Sequence, residues 1–444
     1  MGVIGPFPWD PFPPGEPEPK GPDPVANLAY RSAVSAADAY RSVRLALRRE
    51  SGVLRVGNRF VPDGRYREVA FLSFGNAANS MALAALHTLG NRLTQGFIAG
   101  PEPVAPELPF QGAETRPGWG GDPAAPGIVA AAREIASGLS EQDLLLVLLS
   151  PGALRALLLP PSGYSPEQFA DFLAAAHSRG ASGREVGLLA RVLGEGAVGG
   201  RLAHEVIAAD AATFIVDRGD GPGVVGGGPM RPVAPTERAE ARAILERVGL
   251  AGDSSVPLYD PGVTNLPGRV AAPAVIASPG DALRAAADSL FDKGWTSRLA
   301  FLELGEGPEA SADRFLDRTE EIVRLEGLDS ASRTKGVATF AMLNLGLPEG
   351  LDEGPSLGRF LLRAQAGLRR REMSVGLFRT GGVIGSRDYP AGGVVGPPTD
   401  PTATWNRDRA RAVPMRAGIT DVGLLAVGIY PTPTAAPSGR GTKE

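Results

Sequence analysis

Apolar positions between residues 68 and 293 follow two patterns in turn: short continuous runs, and stretches where they recur every three or four residues. That alternation predicts a parallel sheet with crossover helices. Residues 69–74 and 144–149 read as strands buried on both faces, 96–99 and 213–216 as further strands, and Val275-Ile276 as the opening of another. Helices are expected after a Gly75-Asn76 turn through His87, and over 126–137, 236–247 and 281–293. Ser165-Pro166-Glu167-Gln168 combines an N-cap, a first-turn proline and a capping-box glutamine, which starts a helix running to Ser178. Upstream, Tyr30, Val34, Ala37 and Leu47 recur at helical spacing and predict one amphipathic helix over 25–50.

Near Gly294 a second, shorter series begins. Strands are expected over 298–304, 337–343, 374–378 and 422–429, and helices over 312–325 and 357–369. With 444 residues the chain exceeds one ordinary core. The fold class expected is α/β: a Rossmann-like parallel-sheet domain over 25–293, then a smaller α/β domain over 294–432. Residues 1–24 are dense in proline and read as a disordered tail, 433–444 as a flexible one, and the Pro/Gly-rich stretch 256–268 as a surface excursion.

Composition narrows the chemistry. The chain has no cysteine, which excludes disulfides, thiolate metal sites and a cysteine nucleophile, and suits a cytoplasmic protein. A net charge of −4 gives no general attraction to nucleic acid or anionic lipid. No apolar run approaches the roughly 18 residues needed to span a bilayer, and the first residues lack the pattern of a secretory signal. No membrane partner is expected. The lysines are Lys20, Lys293, Lys335 and Lys443, so nothing between Lys20 and Lys293 supplies an ammonium. His87, His177 and His204 each fall in helical stretches and offer few catalytic candidates.

Ligands of open parallel sheets sit beyond the carboxyl ends of the strands, which directs attention to four loops. Gly75-Asn76-Ala77-Ala78 joins a strand to a helix, where free backbone N–H groups cradle anions or where the chain merely turns tightly. Ser150-Pro151-Gly152-Ala153-Leu154 follows the most apolar strand. Gly194, Gly196, Gly199 and Gly200 lie between Arg191 and Arg201, a glycine-rich loop with basic flanks that suits phosphate, or equally a flexible connection with solvated arginines. Asp217 and Asp220, ahead of Gly226-Gly227-Gly228-Pro229, are candidate Mg²⁺ ligands or a simple turn. A Walker-type phosphate loop and a His-Glu-x-x-His zinc motif are both lacking.

Taken in order, these loops resemble the signature loops of the class II glycerate 2-kinase family, also called MOFRL-type glycerate kinases or hydroxypyruvate reductases. Gly75-Asn76-Ala77-Ala78 with Met81-Ala82 is similar to a Gly-Lys-Ala-Ala segment, and residues 143–160 to an Asp-Leu strand ending in Ser-Gly-Gly-Gly-Ser. Gly199-Gly200-Arg201-Leu202-Ala203 resembles Lys-Gly-Gly-Arg-Leu-Ala. Asp217, Gly219-Asp220 and Gly228-Pro229 resemble Ser-Asp-Val, Gly-Asp and Ser-Gly-Pro, while Gly358-Arg359, residues 381–395 and Thr420-Asp421-Val422 resemble the family's late segments.

The resemblance implies ATP- and Mg²⁺-dependent phosphorylation of D-glycerate, or a related small hydroxy acid, to a 2-phosphate. It implies that Arg191, Arg201 and Arg359 bind carboxylate and phosphates, with Arg359 and Asn76 at the catalytic positions. Gly75, Ser150, Gly152, Gly199, Gly200 and Gly228 would line the substrate and nucleotide site, and Asp217 and Asp220 would hold the metal. The departures are equally specific. The first-loop lysine is Asn76, the serine closing the second loop is Leu154, the lysine before Gly199 is Val198, and Phe360-Leu361-Leu362 follows Arg359 in place of Asn-Gln-Glu. A kinase weakened or lost is therefore expected. The alternative is a pseudoenzyme acting as ligand-binding or regulatory subunit of an intact paralogue, or as a homodimer. A third reading is a changed reaction using Arg155 and Glu195.

Overall fold

The computed structural model describes residues 24–116, 121–219, 221, 223, 225–251, 269–304, 307–327, 333–343, 354–368, 374–379, 392–395 and 424–431. The Pro-rich tail up to residue 23, the 256–268 excursion, Asp220, most of the late glycine-rich segment, Thr420-Asp421 and the 433–444 tail lie outside it.

The single helix expected over 25–50 is two helices and a strand. Helix α1 spans Pro24–Ala36, α2 Ala39–Ala46, and an antiparallel meander follows: β1 Leu47–Glu50, β2 Val53–Val56 and β3 Arg59–Pro62. The break has a local cause, because the Asp38 carboxylate accepts the Arg41 N–H at 2.6 Å and starts a new helix. The strand has one too, because Ser51 and Gly52 both take positive φ and reverse the chain so that Leu47 pairs with Val56.

The main series then runs β4 Val69–Phe74, α3 Ala78–Leu89, β5 Leu93–Gly100, β6 Gln111–Glu114, α4 Ala125–Gly138, β7 Leu144–Leu149, α5 Ala153–Leu157 and β8 Leu158–Leu159. It continues with α6 Pro166–Ser178, α7 Gly183–Leu193, β9 Glu195–Gly196, α8 Arg201–Glu205, β10 Asp210–Val216, α9 Pro235–Arg247, β11 Ala274–Ala277 and α10 Pro279–Phe291. Six of these strands form one sheet in the order β11-β10-β7-β4-β5-β6, every pair parallel. Side chains leave it alternately. Phe71, Leu144, Leu146, Leu148 and Phe214 join a core with α1, α2, α3 and α10, whereas Leu72, Phe74, Leu145, Val147 and Ile215 join one with α4, α6, α7, α8 and α9. The six-residue apolar run of β7 is thus explained by helices on both faces.

The second lobe comprises β12 Thr296–Leu304, α11 Pro308–Glu326, β13 Gly336–Leu343, α12 Gly354–Leu368, β14 Ser374–Arg379, β15 Gly392–Val395 and β16 Leu424–Pro431. Its sheet, in the order β12-β13-β16-β14-β15, is mixed: β12 and β13 are parallel and the remaining pairs antiparallel. One face packs on α11 and α12 through Val337, Ala341 and Leu343. On the other face Ala338, Phe340, Met342, Val427 and Ile429 join the core of α1 and α10, so the two sheets share a helical layer. No described helix is long and apolar enough to cross a membrane.

Candidate functional site

Counted along the chain, the strands of the large sheet stand in the order 3-2-1-4-5-6, the doubly wound arrangement whose direction of winding reverses between the first and fourth strands. Those strands are β4 and β7, and the loops beyond their carboxyl ends are 75–77 and 150–152. The sequence therefore nominated the two loops that the topology places at the switch point.

The two loops are pressed together. Gly75 holds φ +109°, and a Cβ built on it would lie 2.2 Å from the Ser150 carbonyl oxygen, so the backbone path requires glycine. The Asn76 N–H donates to the Pro151 carbonyl at 2.7 Å, and the Ala77 N–H to Ser150 Oγ at 2.9 Å. Ser150, fully buried, also donates to the Phe74 carbonyl at 3.3 Å. Gly152 holds φ +92°, with the Asn76 amide and the Arg155 guanidinium packed where its side chain would be. Arg155 Nη2 lies 3.4 Å from Asn76 Oδ1.

The other two loops close against this pair. A Cβ on Gly226 would touch Ala153, and one on Gly227 would strike Leu154 and Val198. Gly199 and Gly200 donate to the carbonyls of Gly227 and Gly228 at 2.8 and 2.9 Å, while the Gly228 N–H donates to Val225. The glycine-rich loops thus zip to each other. Most of the backbone donors expected for phosphate, Gly75, Asn76, Ala77, Gly199, Gly200 and Gly228, hold protein acceptors in this structure. Among these candidates the Gly152 N–H alone has no acceptor.

The charged candidates are distributed differently from the sequence expectation. Arg191, read as a phosphate ligand flanking a flexible loop, is fully buried and faces inward. Its guanidinium pairs with Glu237 and donates to the carbonyls of Arg231 and Pro232 at 2.9 Å each. It clamps the 229–237 segment onto α7. Burial pulls this guanidinium below its ordinary range, opposed by the Glu237 charge. Arg201 donates to the carbonyls of Gly194 and Val198 and so closes its own loop. Arg359 is exposed on α12 and forks onto Glu309 of α11 at 2.5 and 2.8 Å. Asp217, at the end of β10, is buried, and its Oδ1 accepts the N–H groups of Gly219 and Gly221 at 3.1 Å. Among the described residues no cluster of three or more His, Asp or Glu forms a metal cage. Asp217 supplies one carboxylate, which suits Mg²⁺ only if ligand phosphates complete the shell.

Two features were not placed by the sequence reading, which named Arg155 only together with Glu195. Arg155 is buried at 4 % exposure beside Asn76, while Glu195, grouped with it in one reading, is exposed and accepts the Ser162 N–H. The loop after β5 packs on the first turn of α3, where Asn79 bonds the Pro103 carbonyl and the Ala105 N–H, and burial pushes the Glu102 carboxyl up. The only sequence signal for Arg155 was a charge inside the apolar run from Ala153 to Leu159.

Fold and site together define a doubly wound α/β protein whose glycine-rich loops meet at the switch point, with a smaller mixed-sheet lobe. A family model described as Domain of unknown function (DUF4147) matches residues 25–258, just over half of the chain. The chain belongs to that family. It is 32% identical over 207 residues to a glycerate kinase of Bos taurus, covering 42% of this chain and 38% of that protein. It is 29% identical over 200 residues to a D-glycerate 2-kinase of Thermotoga maritima, covering 44% and 47% respectively. The matched stretch thus spans less than half the length of either relative. Among solved structures, a glycerate kinase of Thermotoga maritima superposes with a TM-score of 0.67 at 21% identity, covering 91% of this chain and 98% of that one. The PH0495 protein of Pyrococcus horikoshii superposes with a TM-score of 0.66 at 19% identity, covering 92% and 98%. The fold is that of the glycerate kinases, and the sequence relationship to them is distant.

Proposed function

We propose that this protein binds MgATP and a small hydroxy acid such as D-glycerate at the switch-point crevice and transfers the γ-phosphoryl group weakly. The observation that carries this reading is the meeting of the 75–77 and 150–152 loops at the reversal point of the sheet. A doubly wound sheet takes its ligand there. Asp217 would face the metal, and the Gly152 N–H is a ready donor for a ligand oxygen. The kinase relatives supply the reaction class.

Weak transfer follows from charge. Phosphoryl transfer depends on positive groups placed around the migrating phosphoryl, and losing one slows it by orders of magnitude. Asn76 stands where the resemblance places a lysine, and no lysine lies between Lys20 and Lys293. The nearby cation is instead Arg155, in α5 just beyond the opposite loop, and a guanidinium does not reproduce the geometry of an ammonium.

The test is ADP release dependent on D-glycerate. Asn76→Lys alone sets two cations side by side, so the informative protein is Asn76→Lys with Arg155→Ala. With D-glycerate and MgATP both saturating, so that binding lost with Arg155 does not enter, its kcat should exceed that of the unaltered chain by at least about tenfold, the effect of about 1.4 kcal/mol at the transition state. No D-glycerate-dependent ADP release from either protein would sink the kinase reading and favour the pseudoenzyme, with a paralogue or second copy as its partner.

A further inference from the structure

Two arginines are buried among the described residues, and they are solvated in opposite ways. Arg191 faces the Glu237 carboxylate. Arg155 pairs with no carboxylate among the described residues, and its Nε and Nη1 make no hydrogen bond. Its remaining nitrogen, Nη2, reaches the Asn76 amide oxygen at 3.4 Å. The acidic neighbour, Asp122, donates its N–H to the Arg155 carbonyl at 3.0 Å, but its carboxylate accepts from the N–H groups of Arg116 and Ala124. An isolated buried cation is strongly unfavourable, and a guanidinium does not escape by losing its proton. The side chain lies against Gly152, whose N–H also lacks an acceptor. An unbalanced charge and an unpaired backbone donor therefore meet beside the switch point, where a ligand of a doubly wound sheet sits.

We propose that Arg155 is the oxyanion-binding residue of this crevice, donating from Nε and Nη1 to a carboxylate or phosphate group of the ligand, with Gly152 N–H as the adjacent donor. The assignment rests on the use of the crevice proposed above and adds the residue and the chemistry that hold the anionic group. Asn76 positions the guanidinium through Nη2.

The test is the thermal unfolding midpoint of the full chain without oxyanion and with inorganic phosphate, D-glycerate or MgATP, for the unaltered protein, Arg155→Met and Asn76→Asp. Without oxyanion, Arg155→Met should unfold no earlier than the unaltered protein, because an unpaired buried charge has been removed. It should need at least about tenfold more phosphate or D-glycerate for the same shift, as expected for lost hydrogen bonds to a charged group. Asn76→Asp places a carboxylate against Nη2, and should raise the oxyanion-free midpoint by about 2 °C or more while blunting the response to phosphate and D-glycerate. Phosphate responding without D-glycerate, or the reverse, identifies which oxyanion the site prefers and supports the assignment. If Arg155→Met does not fold, Asn76→Asp decides: a rise supports the proposal and no rise overturns it. A response confined to phosphate or D-glycerate and dependent on Arg155 keeps the assignment and removes the kinase reading. Responses to D-glycerate and MgATP that are indifferent to Arg155 overturn the assignment and leave the kinase reading standing.

Discussion

Replacing Gly75 by alanine should destabilise the protein by about 2–6 kcal/mol. Two terms contribute. A non-glycine residue held at φ +109° costs about 1–3 kcal/mol in backbone strain. The added Cβ would also sit 2.2 Å from the Ser150 carbonyl, 2.5 Å from its hydroxyl and 2.7 Å from the Pro151 carbonyl. Those are mainly backbone atoms of the facing loop, so relief requires the loops to part, which costs about 1–3 kcal/mol for overpacking and threatens the Asn76-to-Pro151 hydrogen bond. Gly163→Ala is the control. Its φ is +90° but nothing lies within 4 Å of the new methyl group, so strain alone, about 1–3 kcal/mol, should appear. Urea unfolding measures both. Equal losses for the two variants would show that the 75–77 and 150–152 loops are not pressed together.

Arg191→Met should cost about 3–5 kcal/mol, the usual penalty for breaking a buried ion pair from one side. The variant leaves Glu237, 16 % exposed in its side chain, with the half-exposed Arg231 at 3.1 Å in place of two cations, and two backbone carbonyls without the Arg191 donor. Glu237 Oε2 also accepts the Ala234 N–H at 2.7 Å, so the start of α9 should loosen with it. Adding Glu237→Gln to Arg191→Met should recover part of the loss, because the carboxylate that lost its buried cation is gone, although its contact with Arg231 weakens as well. A loss below about 1 kcal/mol in Arg191→Met would restore this arginine to the list of ligand-binding candidates.

These two residues mark where the sequence was legible and where it was not. The doubly wound class was readable because the 69–74 and 144–149 runs are apolar throughout, which a sheet covered on both faces demands. The start of α6 was equally readable, and both halves of its capping box form: Gln168 N–H to Ser165 Oγ, and Ser165 N–H to Gln168 Oε1. The edge strand β6 was missed because Gln111–Glu114 is mostly exposed and carries no apolar signal. The break before α2 depended on one Asp38 carboxylate and left the helical spacing almost undisturbed.

For the site, glycine positions in the four loops pointed to the carboxyl end of the sheet, since close backbone approach leaves a visible trace in composition. Arginine roles left none. Arg191 beside a glycine-rich loop looks the same whether it binds phosphate or a glutamate 46 residues onward, and only the tertiary pairing with Glu237 distinguishes them. Arg359 is similar: its partner Glu309 lies 50 residues upstream, on the neighbouring helix of the second lobe. Arg155 entered the sequence reading only beside Glu195, and its lack of a counter-charge among the described residues is a property of the folded chain.

The most direct test of the central claim, that the switch-point crevice takes nucleotide and hydroxy acid, is the unfolding midpoint of the unaltered chain with millimolar MgATP and, separately, D-glycerate. A ligand that binds only the folded state raises the midpoint, by about 2.7 kcal/mol of added stability at a hundredfold excess over its Kd. The midpoint should rise with each. No shift with either would contradict the claim.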